Sequence, residues 1–286
     1  MTERALWQAL TEQPQPLPAL ASAGGLSSEP AQEILAGWLA QGLVLRAEGG
    51  YRLPAWAIAN LEGWRDPYYY LPEVGSTQDE LRNLAEAGAA AGTLVVAEIQ
   101  RSGRGRRGQL WESLPGAGLT FSILLRPELP GPYQLALALA VQEAAGVGRV
   151  KWPNDVLAPD GAKLAGILLE GAWRGASLRY LLAGVGLNFA PPKQAGRAGL
   201  WQWSRLSRRD FLLRFQERWQ AWQSPQALAE APEIFAQRWG SLGQTVTVHT
   251  PAGELTGRAV GIDSEGALLL EAGETRRVPA GWLASG

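Results

Sequence analysis

Two β patterns, Gly166 to Ala172 and Leu178 to Gly186, are separated by little more than Trp173-Arg174-Gly175. So short a connection folds the chain back beside itself, which favours antiparallel neighbours; a doubly wound parallel sheet needs long crossovers instead. Around this hairpin the patterns alternate. A helix is predicted over Thr77 to Ala91, strands over Thr93 to Gln100 and Gly118 to Leu125, and a helix over Tyr133 to Val147. Two C-terminal helices follow, the first placing Phe211, Phe215, Trp219 and Trp222 along one face. The expected class is α+β, a layered domain built on a central mixed or antiparallel sheet.

The flanks read differently. Three short helical patterns (Arg4 to Thr11, Leu17 to Ala23, Ser28 to Gln41) precede two short β patterns around Gly49-Gly50, which predicts a winged helix-turn-helix. Beyond Leu242, brief β patterns broken by Ala252-Gly253, Ser264-Glu265-Gly266 and Ala272-Gly273 predict a small β-barrel. Domain boundaries are expected at 1–62, 63–238 and 239–286, with a proline- and tyrosine-rich linker over 61–72.

Composition narrows the chemistry. The formal charge is −1, so no global field draws the chain to nucleic acid or an anionic membrane, and any basic site must be local. There is no cysteine and only His249, which removes thiolate chemistry and His/Cys zinc sites. The apolar helix Tyr133 to Val147 falls short of the roughly 20 residues that a bilayer requires. The start MTERALWQAL lacks the basic-then-apolar pattern of a signal peptide, so a cytoplasmic protein is expected.

The sharpest local feature runs from Arg101 to Gly108, with four arginines, three glycines and no acid in eight residues. Glycine lets backbone N–H groups approach an anion, and arginine supplies planar forked donors for phosphate or carboxylate oxygens. Gly103, Gly105 and Gly108 also match a dinucleotide fingerprint, but that motif must open a helix and this one leads into a strand pattern. A solvated basic loop or a nucleic-acid patch is the plainer alternative. Lys151-Trp-Pro-Asn-Asp155 reads as a turn, and Lys163 opens the strand KLAGILLE. Alone, Asn154-Asp155 is a turn signal and Lys163 a surface lysine. Ser76-Thr77-Gln78 precedes an amphipathic helix, where Thr77 with Glu80 fits a capping box. Gly184-Val-Gly-Leu-Asn188 ends a strand, and glycines there often only ease packing.

Taken together and in this order, these segments resemble the catalytic domain of the biotin–protein ligase family over residues 71 to 190. The stretch Gly261 to Glu271 is similar to that family's SH3-like C-terminal domain, and the N-terminal pattern resembles its ligase-repressor members. The resemblance implies a catalytic domain of the class II aminoacyl-tRNA synthetase type. It implies that Ser76, Thr77, Gln78, Gln100, Gly105 and Arg106 hold biotin, and that Arg104 and Lys163 meet the carboxylate and phosphate. It implies that Trp111 stacks on adenine, that Asn154, Asp155 and Asn188 lie near the nucleotide and its Mg²⁺, and that Arg106 and Lys163 also contact ATP. No metal ligand is assigned beyond the Mg²⁺ expected with ATP. Asp155 is a candidate helper in deprotonating the acceptor lysine, which would belong to a biotin carboxyl carrier protein. A homodimer through the central sheet is implied as well.

Two alternatives stay open. A biotin-responsive repressor would use the N-terminal segment on DNA, yet residues 1–60 hold three bases (Arg4, Arg46, Arg52) against five acids (Glu3, Glu12, Glu29, Glu33, Glu48). That balance disfavours a polyanion. A lipoate ligase shares the adenylation logic, and physical reasoning alone does not separate the two substrates.

Overall fold

The computed structural model describes residues 2–58, 61–127 and 131–283. The chain forms two compact units, Met1–Leu124 with Ser207–Arg209 and Leu125–Leu206 with Asp210–Gly286.

The first unit opens with helices α1 (Thr2–Ala9), α2 (Leu17–Gly24) and α3 (Ser28–Ala40) and the hairpin β1 (Leu45–Ala47) and β2 (Gly50–Arg52). Leu6, Trp7, Leu20, Leu35 and Leu43 are buried, so the helices share one apolar core. Gly50, at φ 138°, must be glycine, because a Cβ there would lie 2.0 Å from the Gln15 carbonyl oxygen. The chain continues through β3 (Tyr68–Val74), α4 (Thr77–Glu86), β4 (Leu94–Gln100) and β5 (Gly118–Leu125). Strand β3 lies parallel to β4, and β4 antiparallel to β5, so the sheet is mixed as expected. Trp7 of α1 meets Trp38 edge-on at 5.2 Å and Tyr70 of β3 at 5.5 Å between ring centres, which fixes the helices against the sheet.

Helix α4 is shorter than the expected Thr77 to Ala91. Its C-cap is Ala87, and Gly88 at φ 92° turns the chain out of the helical path. Strand β3 starts at Tyr68, inside the segment read as linker, and buries Tyr70, Leu71, Pro72 and Val74.

The second unit contains α5 (Tyr133–Ala145), β6 (Arg149–Lys151), β7 (Asp155–Leu157), β8 (Lys163–Arg174) and β9 (Ser177–Asn188). Strands β6 to β9 are antiparallel in chain order, and β8 with β9 form the long hairpin whose short turn the sequence announced. Helix α5 ends at Gly146, left-handed at φ 70°, and buries nearly its whole surface, from Leu135 to Val141 without interruption. Helices α6 (Arg208–Trp222) and α7 (Pro225–Arg238) lead to a five-stranded antiparallel sheet. It comprises β10 (Thr245–Thr250), β11 (Gly253–Ile262), β12 (Leu268–Ala272), β13 (Glu274–Val278) and β14 (Trp282–Leu283). The Asp263 to Gly266 turn of this sheet docks on the preceding elements: the buried Trp152 donates its indole N–H to the Gly266 carbonyl at 3.1 Å. No helix among the described residues is long and apolar enough to cross a membrane.

Candidate functional site

In the first unit the functional side chains gather where β3 turns into α4 and β4 runs into the arginine–glycine loop. Ser76, in extended conformation, is the N-cap of α4, and its Oγ accepts from the Gln78 N–H at 3.3 Å. The cap is therefore Ser76 and not Thr77, whose side chain works elsewhere. Both the N–H and the Oγ1 of Thr77 donate to Gln100 Oε1, at 2.8 and 3.0 Å, and Thr77 Oγ1 lies 2.8 Å from Ser122 Oγ. Ser76, Thr77, Gln78 and Ser122 are buried. This is a neutral, hydrogen-bonding cluster, suited to an uncharged polar ring. Ser122 was not anticipated. Its one signal is a pair of hydroxyls, Thr120 and Ser122, in an otherwise apolar strand.

The arginine–glycine segment does not open an α-helix, in line with the rejection of the dinucleotide fingerprint. It is a small hairpin: Trp111 N–H donates to the Gly103 carbonyl at 2.9 Å, and Gly105 N–H to the Gln109 carbonyl at 2.6 Å. At its tip Arg107 takes φ 61° beside Gly108 at 72°. Gly103 is the tight point, since a Cβ there would lie 2.7 Å from the Trp111 carbonyl and 2.8 Å from the Gln100 amide nitrogen. The root of the hairpin is tied to β3. Arg101 pairs with Glu73, and Ser102 donates both its N–H, at 2.8 Å, and its Oγ, at 2.9 Å, to the Gly75 carbonyl. Arg104 forms two hydrogen bonds to Asp79, at 2.7 and 2.6 Å. Gly105, Arg106 and Trp111 are half-buried on the same hairpin.

In the second unit, β7 and β8 bring Asp155 and Lys163 together, each the first residue of its strand. Lys163 Nζ lies 2.5 Å from Asp155 Oδ1. Burial lowers the Lys163 pKa from its ordinary value, the Asp155 carboxylate opposes that shift, and Arg197 and Lys151 add to it. Arg197 was not singled out from sequence. It arrives because Lys163 exchanges backbone hydrogen bonds with Gly196 and Ala198, at 2.8 and 3.0 Å. Asn154, in the turn between β6 and β7, is pinned to β8: its Nδ2 donates to the Ile167 carbonyl and its own carbonyl accepts from Ile167, both at 2.9 Å. Asn188 closes β9 with its side chain buried and its Nδ2 without a hydrogen-bond partner among the described residues. A buried amide left open in this way suits a ligand acceptor.

The likeness to known proteins follows the same elements. Residues 71–188 match the Biotin/lipoate A/B protein ligase family, and residues 241–281 match the Biotin protein ligase C terminal domain. The chain is 32% identical over 234 residues to the Bifunctional ligase/repressor BirA of Bacillus subtilis, covering 72% of this chain and 69% of that protein. It is 31% identical over 232 residues to the Biotin--[acetyl-CoA-carboxylase] ligase of Paracoccus denitrificans, covering 73% and 95%. Among solved structures, the biotin protein ligase from Aquifex aeolicus in complex with biotin and ATP superposes with a TM-score of 0.63 at 29% identity, over 77% of this chain and 98% of that one. By sequence, by fold and by the order of its two matched domains, this chain belongs to the biotin protein ligase family.

Proposed function

We infer that the chain activates biotin with ATP to biotinyl-5′-adenylate and transfers the biotinyl group to a lysine of a biotin carboxyl carrier protein. The observation that carries this reading is the match to nearly the whole of a ligase solved with biotin and ATP. The geometry supports it. Activation brings a carboxylate to a phosphate, two anions that repel each other, and positive charge held in place beforehand offsets that repulsion. Arg104 and Lys163 are the proposed cations, for the carboxylate and the phosphate, and Arg106 contributes to binding both substrates. The buried cluster of Ser76, Thr77, Gln78 and Gln100, with the Gly105 backbone, is proposed to hold the biotin ring and tail. Trp111 is proposed to stack on adenine. For the nucleotide, Asn188 has direct support in its open amide, whereas Asn154 is already engaged with the β8 backbone and would contribute through its turn.

Among the described residues no three acidic or imidazole side chains cluster around a metal position. Mg²⁺ bound with ATP is usually held by substrate phosphates, water and one or two carboxylates. Asp155 is the carboxylate proposed to share it, and bound Mg²⁺ would neutralise phosphate charge. Asp155 is engaged with Lys163, so holding that cation is its first proposed role and accepting the acceptor lysine's proton its second. No side-chain nucleophile is required, which accords with a chain that has no cysteine and one histidine.

The three N-terminal helices and their hairpin are proposed to be a winged helix, the C-terminal sheet an SH3-like module, and the domain limits 1–62, 63–238 and 239–286. A cytoplasmic homodimer completes the proposal. Repression through DNA is not favoured, given the acidic balance of residues 1–60.

Mass spectrometry of a biotin carboxyl carrier domain, after incubation with the chain, ATP, Mg²⁺ and biotin, tests the reading. One biotinyl adduct on lysine is expected, and none with lipoate. An unmodified carrier, or a lipoyl adduct in preference, would overturn it.

A further inference from the structure

Asp79 belongs to no motif noted in the sequence, yet it takes both guanidinium nitrogens of Arg104 on its two carboxylate oxygens, at 2.7 and 2.6 Å. Such fork-to-fork pairing fixes orientation as well as distance. Asp79 lies in the first turn of α4, on a helix whose cap and following residues form the polar cluster, so its carboxylate is held on a rigid element. The helix N-terminus favours a negative charge there. Arg104's hydrogen bonds hold the Asp79 carboxyl below the usual carboxylate range.

Arg104 stands between two glycines that define the hairpin. Gly103 packs under the Trp111 carbonyl and against Gln100, and Gly105 closes onto Gln109. Holding Arg104 therefore holds the hairpin against the Thr77–Gln100 cluster. The anchors nearer the root, Arg101 on Glu73 and Ser102 on Gly75, fix only where the hairpin begins.

We propose that Asp79 is a positioning residue, the latch that keeps the arginine–glycine hairpin closed over the Thr77–Gln100 cluster and so sets how long an activated acyl-adenylate is retained. The retention half of this rests on the ligase reading above; the latch half does not. The two side chains are 35% and 47% exposed, so the pair is worth only a small factor and opens readily. A latch that must release its contents to an acceptor needs that property.

The test compares the full chain with its Asp79→Asn and Asp79→Glu variants. In hydrogen exchange without ligands, Asp79→Asn should speed exchange at the Gly105 and Trp111 amides about fivefold, and Asp79→Glu should stay near the parent. With biotin and ATP, Asp79→Asn should release adenylate about fivefold faster, read as the off-rate of preformed adenylate so that any change in its formation is separate. Release from the parent should quicken with added salt, and release from Asp79→Asn should respond less. Unchanged exchange in Asp79→Asn, or a Glu variant as open as the Asn one, would overturn the latch. A parent chain that makes no adenylate would sink the ligase reading alone, because the exchange comparison uses no ligand.

Discussion

Arg208 meets Glu98 as Arg104 meets Asp79, two guanidinium nitrogens on two carboxylate oxygens within the same unit. The side chains of the first pair are 3% and 1% exposed and those of the second 35% and 47%. The buried pair is also heavily partnered, although Arg208 Nε has no hydrogen-bond partner among the described residues. Glu98 accepts from the Tyr70 hydroxyl at 2.6 Å and the Gly116 N–H at 3.2 Å, and Arg208 donates to the Gly118 carbonyl at 3.0 Å and faces the Trp56 ring at 5.4 Å. Burial, and then the Glu98 charge, raise the Tyr70 pKa well above its ordinary value, so its hydroxyl stays a donor. An ion pair out of water survives only with close geometry and further hydrogen bonds around it, and it cannot let go. An exposed pair contributes less and can open. The same two side-chain types thus serve as scaffold in one place and as a moving part in the other.

The comparison breaks first at Arg208. Replacing it by methionine leaves Glu98 charged and buried without its cation, and denaturant unfolding should show a loss of about 3–5 kcal/mol. Adding Glu98→Gln should restore part of it. A loss under about 1 kcal/mol in the single variant would mean that this pair is no more structural than the exposed one.

Lys163 and Asp155 lie between the extremes, with side chains 25% and 21% exposed. Lys163→Ala should slow adenylate formation by about 10²–10³-fold, the scale of losing one preorganised donor to developing charge, with stability changed far less than in Arg208→Met. Asp155→Asn sharpens the point through pH. Burial lowers the Lys163 pKa and Asp155 pulls it back up, so removing the carboxylate lowers it further. If the ammonium is the working form, activity is present below that pKa and lost as pH rises through it. The alkaline limb of adenylate formation should therefore move to lower pH in Asp155→Asn. A limb that stays put would detach Lys163 from Asp155.

What was legible in the sequence was local. Trp173-Arg174-Gly175 announced the β8–β9 hairpin because a two-strand turn is written in adjacent residues, and Gly50 stands where only glycine fits. Ser76 to Gln78 and Gln100 were found through the family's motifs and do come together. The partners that complete each cluster were not found. Ser122 lies 45 residues from Thr77, and Arg208 lies 110 from Glu98, and neither separation leaves a pattern in its own neighbourhood. Arg197 and Asp79 were missed for the same reason, since an isolated charge reads as a solvated surface group until the fold supplies what it faces. The N-cap was misplaced by one residue, because Ser76 and Thr77 both suit the position and only backbone angles decide between them.

The smallest expected effect tests whether an uncharged tie behaves differently from both kinds of ion pair. Trp152 is buried, and its indole N–H holds the Gly266 carbonyl of the C-terminal sheet at 3.1 Å. Trp152→Phe keeps most of the apolar contact and removes one neutral hydrogen bond, so unfolding should cost about 1 kcal/mol less free energy than in the parent. Neither partner is charged, so that loss should be the same at low and high salt, whereas the Arg104–Asp79 latch should weaken as salt screens it. A salt-dependent loss in Trp152→Phe would show that the contact reports on neighbouring charges, Lys151 and Asp155 among them, and that the division between neutral scaffold and charged working parts does not hold in the second unit.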